Sequence, residues 1–169
     1  MKTKTLLSVL LMFVAMGIVK AQNSFNVEIK EVKSFDMLYY DFTGPYPNAY
    51  QDFGKLMAYI GENNIKTGPY SVGLYFDDPK TVAEDKLRSQ VGHMIVGKSA
   101  TNEVFKTKTV RSGKAVSVTY HNMSEIMDAY EALGGYILDK GLKTEGFSIE
   151  VYKSQDPAKM ETEILMLLK

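Results

Sequence analysis

The sequence predicts an α+β domain built by duplication, with a mostly antiparallel sheet and its helices on one face. Three observations lead there. A shift of 77 residues places residues 49–75 on residues 126–152 without a gap, and a fixed period in sequence means a repeated structural unit. The first part of the match has helical spacing: Phe53, Leu56, Tyr59 and Ile60 fall on Tyr130, Leu133, Tyr136 and Ile137. The second part alternates like a strand: Ile65 to Tyr75 falls on Leu142 to Tyr152, with Lys66, Thr67, Ser71 and Tyr75 matched by identical residues. Two long copies fit a pseudo-twofold domain better than a solenoid, and a ligand cleft is expected at the seam.

The elements follow in order. Phe25, Val27 and Ile29 alternate with polar residues over Ser24–Lys33, as in a half-buried strand. Lys33–Phe42, rich in Phe, Leu and Tyr, reads as a second strand or its continuation. Gly44-Pro45-Tyr46-Pro47-Asn48 breaks the chain. A helix is expected over 49–62, its apolar face Phe53, Leu56, Met57 and Ile60, with Gly61 and Asn63-Asn64 as its stop. Tyr70–Phe76 is the next strand, ended by Asp77-Asp78-Pro79. Residues 80–90 read as a short helix or an ordered loop, and residues 91–96 as a strand broken by Gly92. Strands over 105–110 and 115–120 flank a turn at Ser112-Gly113. A second helix spans 124–140, with Ser124 as N-cap and Gly141 as stop. Strands over 147–153 and 162–168 complete the chain, the first ended by Asp156-Pro157.

Residues 1–21 have the pattern of a cleaved secretory leader: Lys2 and Lys4, an apolar run from Leu6 to Val19, then Val19-Lys20-Ala21. The run is shorter than the roughly 20 apolar residues that span a bilayer, so no stable membrane anchor is expected after cleavage. The expected mature chain begins near Gln22 and forms one domain over residues 22–169, periplasmic or secreted. The chain has no Cys, so neither disulfides nor thiolate metal sites are available. Its 20 basic and 20 acidic residues balance without a basic run, which argues against a nucleic-acid partner. Two His without Cys make a zinc site unfavourable, and Asp77-Asp78 before Pro79 reads as a turn rather than a metal pair.

Alternation sorts the repeated strands into two faces. Phe147, Ile149 and Val151, with Tyr70, Val72 and Leu74, form the apolar set, the expected partner of the helices. Ser148, Glu150 and Tyr152, with Ser71, Gly73 and Tyr75, form the other. The copies differ most sharply at Glu150 against Gly73. From spacing alone, Glu150 is either a surface acid on a solvated face or a lone acid under an aromatic wall. In the second case burial raises its pKa, and a cationic aromatic ligand can pair with it and stack on tyrosine rings. Gly73 is either a site of tight backbone packing or open space opposite the acid.

These segments resemble the GyrI-like small-molecule-binding domains, which also serve as effector-binding domains of multidrug-responsive regulators. The matching pieces are Gly73 to Pro79, Lys86-Leu87-Arg88 with Gly92, Val118 to His121, Ala129 to Leu133, Glu150 to Tyr152 and Thr162 to Ile164. The resemblance implies two strand–helix–strand–strand units around a concave cleft, lined by Glu150 with Tyr152 beside it. The chain departs from the pattern after His121, where the family's Gly and Tyr are absent, and it has no Trp; with no helix-turn-helix pattern read in these residues, a transcription-factor role is not expected. The expected function is non-catalytic binding of a small cationic or aromatic ligand by Glu150, Tyr152, Tyr75, Tyr120, His121 and Ser148, with no cofactor and no metal. Two alternatives stay open. One is a hydrolase using Glu150 as general acid or base with Tyr152 or Tyr120. The other is a haem or porphyrin carrier with His121 as ligand.

Overall fold

The computed structural model describes residues 25–154 and 156–169; the leader pattern over 1–21 lies outside the described residues. Among the described residues there are eight strands: β1 Glu28–Val32, β2 Phe35–Thr43, β3 Thr67–Tyr75, β4 Arg88–Ile95, β5 Lys106–Val110, β6 Gly113–Tyr120, β7 Ser148–Ser154 and β8 Glu161–Leu167. Helix α1 spans Phe53–Glu62 and α2 Ile126–Asp139. All eight strands form one antiparallel sheet in the order β1-β6-β8-β7-β3-β4-β2-β5. The order is symmetric about the β7/β3 pair, and the unit is longer than the sequence suggests. Each copy is strand–strand–helix–strand–strand, and its leading strand, β1 or β5, pairs on the outer edge of the other copy.

This exchange forces the sheet to curl. In a flat sheet β1 and β2 would lie six strand spacings apart, roughly 29 Å. Only Lys33 and Ser34 separate them, a link that reaches about 11 Å. Arg111 and Ser112 impose the same limit between β5 and β6. The sheet therefore bends into a half-barrel, and the apolar set on its inner face closes on itself. Met37, Val72, Leu74, Val110, Ala115, Ile149, Val151, Leu165 and Leu167 make that core. Gly92 lies mid-strand and does not break β4; a Cβ there would collide with the Leu38 carbonyl oxygen, so only glycine allows this approach.

The helices lie on the opposite face from the one expected. The apolar set of β3 and β7 is already buried by the curl, so α1 and α2 pack on the face that carries Glu150. Flanking strands supply their apolar contacts. Leu56 and Ile60 of α1 meet Leu38, Tyr40 and Val91. Ala129 and Leu133 of α2 meet Val116, Val118 and Ile164. The helix starts also shift: residues 46–48 and 123–125 are single 3-10 turns. Asn122, not Ser124, caps the second, its side chain accepting from the Ser124 amide at 3.0 Å. The stops fall at Asn64, φ 51°, and at Gly141, φ 60°, as expected, whereas Gly61 lies inside α1 and does not end it. Asp78 and Asp156 accept from the amides two residues on, of Lys80 and Ala158, so both proposed turns form.

A charged cluster ties β1 to β8 on the inner face. Glu163 is buried, accepts from Ser117 at 2.6 Å, and pairs with Lys30 and Lys153. Burial alone would raise its pKa, but the hydrogen bonds from Lys30 and Ser117 and the charge of Lys153 outweigh it and hold the carboxyl below its ordinary value of 4.5. A carboxyl held low stabilises the fold above its unfolded pKa and loses that contribution as pH falls through the folded value. Glu163→Gln is expected to cost about 1–2 kcal/mol at pH 7, since both lysines keep part of their hydration. The deficit should shrink in urea titrations below pH 4; a deficit that does not change with pH would show that charge is not its source.

Candidate functional site

Strand pairing puts Glu150 at the centre of the domain. Across the sheet, Val118, Ile164, Glu150, Gly73, Val91 and Tyr40 form one row on the helix face. Glu150 and Gly73 are direct cross-strand partners at the pseudo-twofold seam. The neighbouring row runs Tyr120, Thr162, Tyr152, Ser71, His93 and Leu38. The seam has polar central strands, apolar flanks and a helix over each flank.

Glu150 is 4% exposed. Its carboxylate accepts from Tyr130 Oη and from Tyr152 Oη, each at 2.7 Å, and makes a longer 3.5 Å contact with Tyr120 Oη. A carboxylate only accepts, so the tyrosines must donate. Tyr152 Oη then receives its own hydrogen bond from Tyr75 Oη at 2.8 Å, and Tyr130 Oη from Ser148 Oγ at 3.0 Å. None of the ion pairs among the described residues involves Glu150. Burial therefore dominates and raises its pKa, opposed by the hydrogen bonds from Tyr152, Tyr130 and Tyr120. Burial first, and the Glu150 charge second, push the hydroxyls of Tyr75, Tyr120, Tyr130 and Tyr152 upward too, so all four stay protonated donors at neutral pH.

The segment before α1 closes over this group. The Tyr46 ring meets Tyr75 edge-on at 4.8 Å, and the Tyr50 ring meets Tyr152 edge-on at 5.4 Å. Tyr46 is held by a hydrogen bond from its hydroxyl to the Asp77 carbonyl at 2.7 Å. Asp77 itself grips Arg88 through Nε and Nη2, at 2.9 and 2.8 Å. The Asp77-Asp78 pair is thus a turn anchored by an arginine. The Tyr50 hydroxyl is buried beside those of Tyr75 and Tyr152, close enough to couple to both, yet forms no hydrogen bond of normal geometry.

Five of the six residues singled out in the sequence meet here: Glu150, Tyr152, Tyr75, Tyr120 and Ser148. His121 does not. It follows Tyr120 directly, so it faces the other side of β6; its Nδ1 lies 3.3 Å from the Met160 carbonyl. It lines a separate surface cavity of about 520 Å³ together with Phe25, Glu28 and Glu125. The haem alternative thereby loses its imidazole at the seam. His93 is buried on the helix face, its Nδ1 3.1 Å from Ser71 Oγ, and burial lowers its pKa.

Two residues were missed, Tyr130 and Tyr50. Tyr130 could have been found in the repeat, because its partner there is Phe53, the same ring without the hydroxyl. The strand register adds a second such pair: Tyr120 beside Thr162 corresponds to Phe42 beside Ser89. The half that lacks the acid also lacks the two hydroxyls that reach it from α2 and β6. All these differences between the halves fall on side chains that meet at one carboxylate.

The comparisons bear on the fold and the family. No curated protein matches the chain. Among solved structures, the C-terminal domain of EcmrR superposes with a TM-score of 0.74 at 17% identity, over 86% of this chain and 98% of that one. A hydrolase encoded by lin2189 from Listeria innocua gives 0.59 at 15% identity, over 85% and 92%. SAV2435 bound to tetraphenylphosphonium gives 0.57 at 17% identity, over 85% and 94%. At these identities the likeness shows the fold. The model of the GyrI-like small molecule binding domain matches residues 25–169, nearly all of the described chain, and the protein belongs to that family.

Proposed function

We propose that the domain binds, without transforming it, a small molecule that joins a positive charge to an aromatic body, with Glu150 as its counter-charge. One observation carries this reading: a buried carboxylate, held by tyrosine hydroxyls and in no ion pair among the described residues, at the seam of a small-molecule-binding fold. Such a group offers a ligand cation an electrostatic partner in a medium of low dielectric, and the rings of Tyr50, Tyr75 and Tyr152 offer faces and edges for an aromatic body. The tetraphenylphosphonium complex of SAV2435 supports the same ligand chemistry. The leader pattern over residues 1–21 supports an exported domain, and a secreted product beginning near Gln22 would bear that out.

Calorimetry with tetraphenylphosphonium and with neutral triphenylphosphine oxide tests the charge requirement. The cation is expected to bind at micromolar to millimolar Kd and to raise the melting temperature; the neutral compound is expected to do neither. Equal binding of the two would overturn the role given to Glu150. Because a hydrolase stands among the structural relatives, incubation with a strained aromatic electrophile is the companion assay. Turnover that disappears in Glu150→Gln would replace binding with hydrolysis as the function.

A further inference from the structure

We propose that Gly73 and Tyr75, both from the half of the domain without the acid, are positioning residues for Glu150. The bare Cα of Gly73 seats the Tyr75 ring, and the Tyr75 hydroxyl in turn holds the Tyr152 hydroxyl on the carboxylate. The inference rests on the assignment of Glu150 as the site's charge and adds how that charge is set from across the seam.

The two repeats place a tyrosine at the same register, Tyr75 and Tyr152, and each leans back along its own strand over the residue two before it. Tyr152 leans onto Glu150 and bonds its carboxylate at 2.7 Å. Tyr75 leans onto Gly73. A Cβ at residue 73 would lie 2.8 Å from Tyr75 Cε2, 2.9 Å from Oη and 3.0 Å from Cζ. The gap opposite the acid is therefore not open space for a ligand; the Tyr75 ring fills it. The backbone of Gly73 is not in the left-handed region, so the requirement for glycine here is steric alone. Any side chain would lift the ring and carry its hydroxyl away from Tyr152.

The direction of the chain follows from chemistry. Ionised Glu150 has no proton to give, so Tyr152 donates to it, and the Tyr152 oxygen is then free to accept from Tyr75 at 2.8 Å. A hydroxyl that accepts a hydrogen bond becomes a better donor, so Tyr75 strengthens the Tyr152 bond to the carboxylate without touching it. The groups facing Glu150 are Tyr152 on its own strand, Tyr120 from β6 and Tyr130 from α2; Tyr75 from β3 and Tyr50 from the segment before α1 lie one step further out. Only the Tyr152 arm depends on residue 73.

The test needs no ligand. The carboxyl ¹³C signal of Glu150, labelled in the whole domain, is followed through a pH titration in wild type, Tyr75→Phe, Gly73→Ala and the double variant. Each single change is expected to move the Glu150 midpoint up by roughly a few tenths of a pH unit, and the double variant by no more than either alone, since both cut the same arm. Shifts that add, or a Tyr75→Phe midpoint equal to wild type, would overturn the proposal. Tyr75→Phe keeps the ring and decides the matter even if Gly73→Ala folds poorly. Failure here with charge-selective calorimetry intact would remove the positioning role alone; loss of selectivity with coupled midpoints would remove the ligand reading alone.

Discussion

Glu150→Gln is expected to weaken binding of tetraphenylphosphonium by roughly 100-fold while making the ligand-free domain more stable at pH 8. Both effects come from the same buried charge. Two unit charges about 4 Å apart at an effective dielectric near 20 attract by about 4 kcal/mol. A loss of about 2.7 kcal/mol, which leaves some of that to compensation by the amide dipole, is 100-fold in Kd. Stability runs the other way. Burial raises the pKa of Glu150 above its ordinary value, so the folded state holds the proton more tightly than the unfolded chain. Unfolding free energy then falls as pH climbs from the ordinary glutamate value through the raised folded value, and above it the whole penalty is felt. Glutamine carries no such penalty. Thermal melts of both proteins should converge near pH 4 and separate toward pH 8, with Glu150→Gln the higher. Subtracting the two curves removes the opposing contributions of Glu163, which is held low, and of His93, whose pKa burial lowers. A variant less stable than wild type at pH 8 would mean that the tyrosine hydrogen bonds outweigh the cost of burying the charge.

Much of this site is legible in the sequence because a strand has a period of two. Ser148, Glu150 and Tyr152 share a parity, so they must share a face, and the repeat puts Tyr75 and Gly73 beside them. The same alternation carried one step past the end of β6 turns His121 away from the seam, where it lines a cavity with Ser117 and Thr119. Other features are set by contacts far apart in sequence. Two-residue links usually join the strands of a hairpin, yet β1 does not pair with β2, nor β5 with β6. Strand exchange between the halves, not the local turn, sets that pairing, and the curl it imposes decides which sheet face the helices cover. Tyr130 was hidden for a different reason. It sits on the apolar face of a helix, where a ring is read as packing, and only its hydroxyl reaches the acid. The Phe53 partner shows that the ring alone is enough for packing.

The duplication also predicts where the two halves should respond differently. Leu56 and Leu133 are repeat partners, each fully buried beneath its own helix. Leu56→Ala and Leu133→Ala are each expected to cost about 3 kcal/mol, transfer and cavity together, and to lower the melting temperature by roughly 10 °C. Their effects on binding should part. Leu133 lies one turn from Tyr130 on the same face of α2, so a cavity there lets the helix settle and pulls the Tyr130 hydroxyl off the carboxylate. Losing one hydrogen bond to a charged group is worth about 1.5 kcal/mol, or roughly tenfold in affinity for the cationic probe. The residue at the matching place on α1 is Phe53, which has no hydroxyl to lose, so Leu56→Ala should leave affinity within roughly twofold at temperatures where both variants are folded. Equal losses from the two variants would show that binding depends on the stability of the whole domain, and that the acid-bearing half has no privileged hold on the ligand.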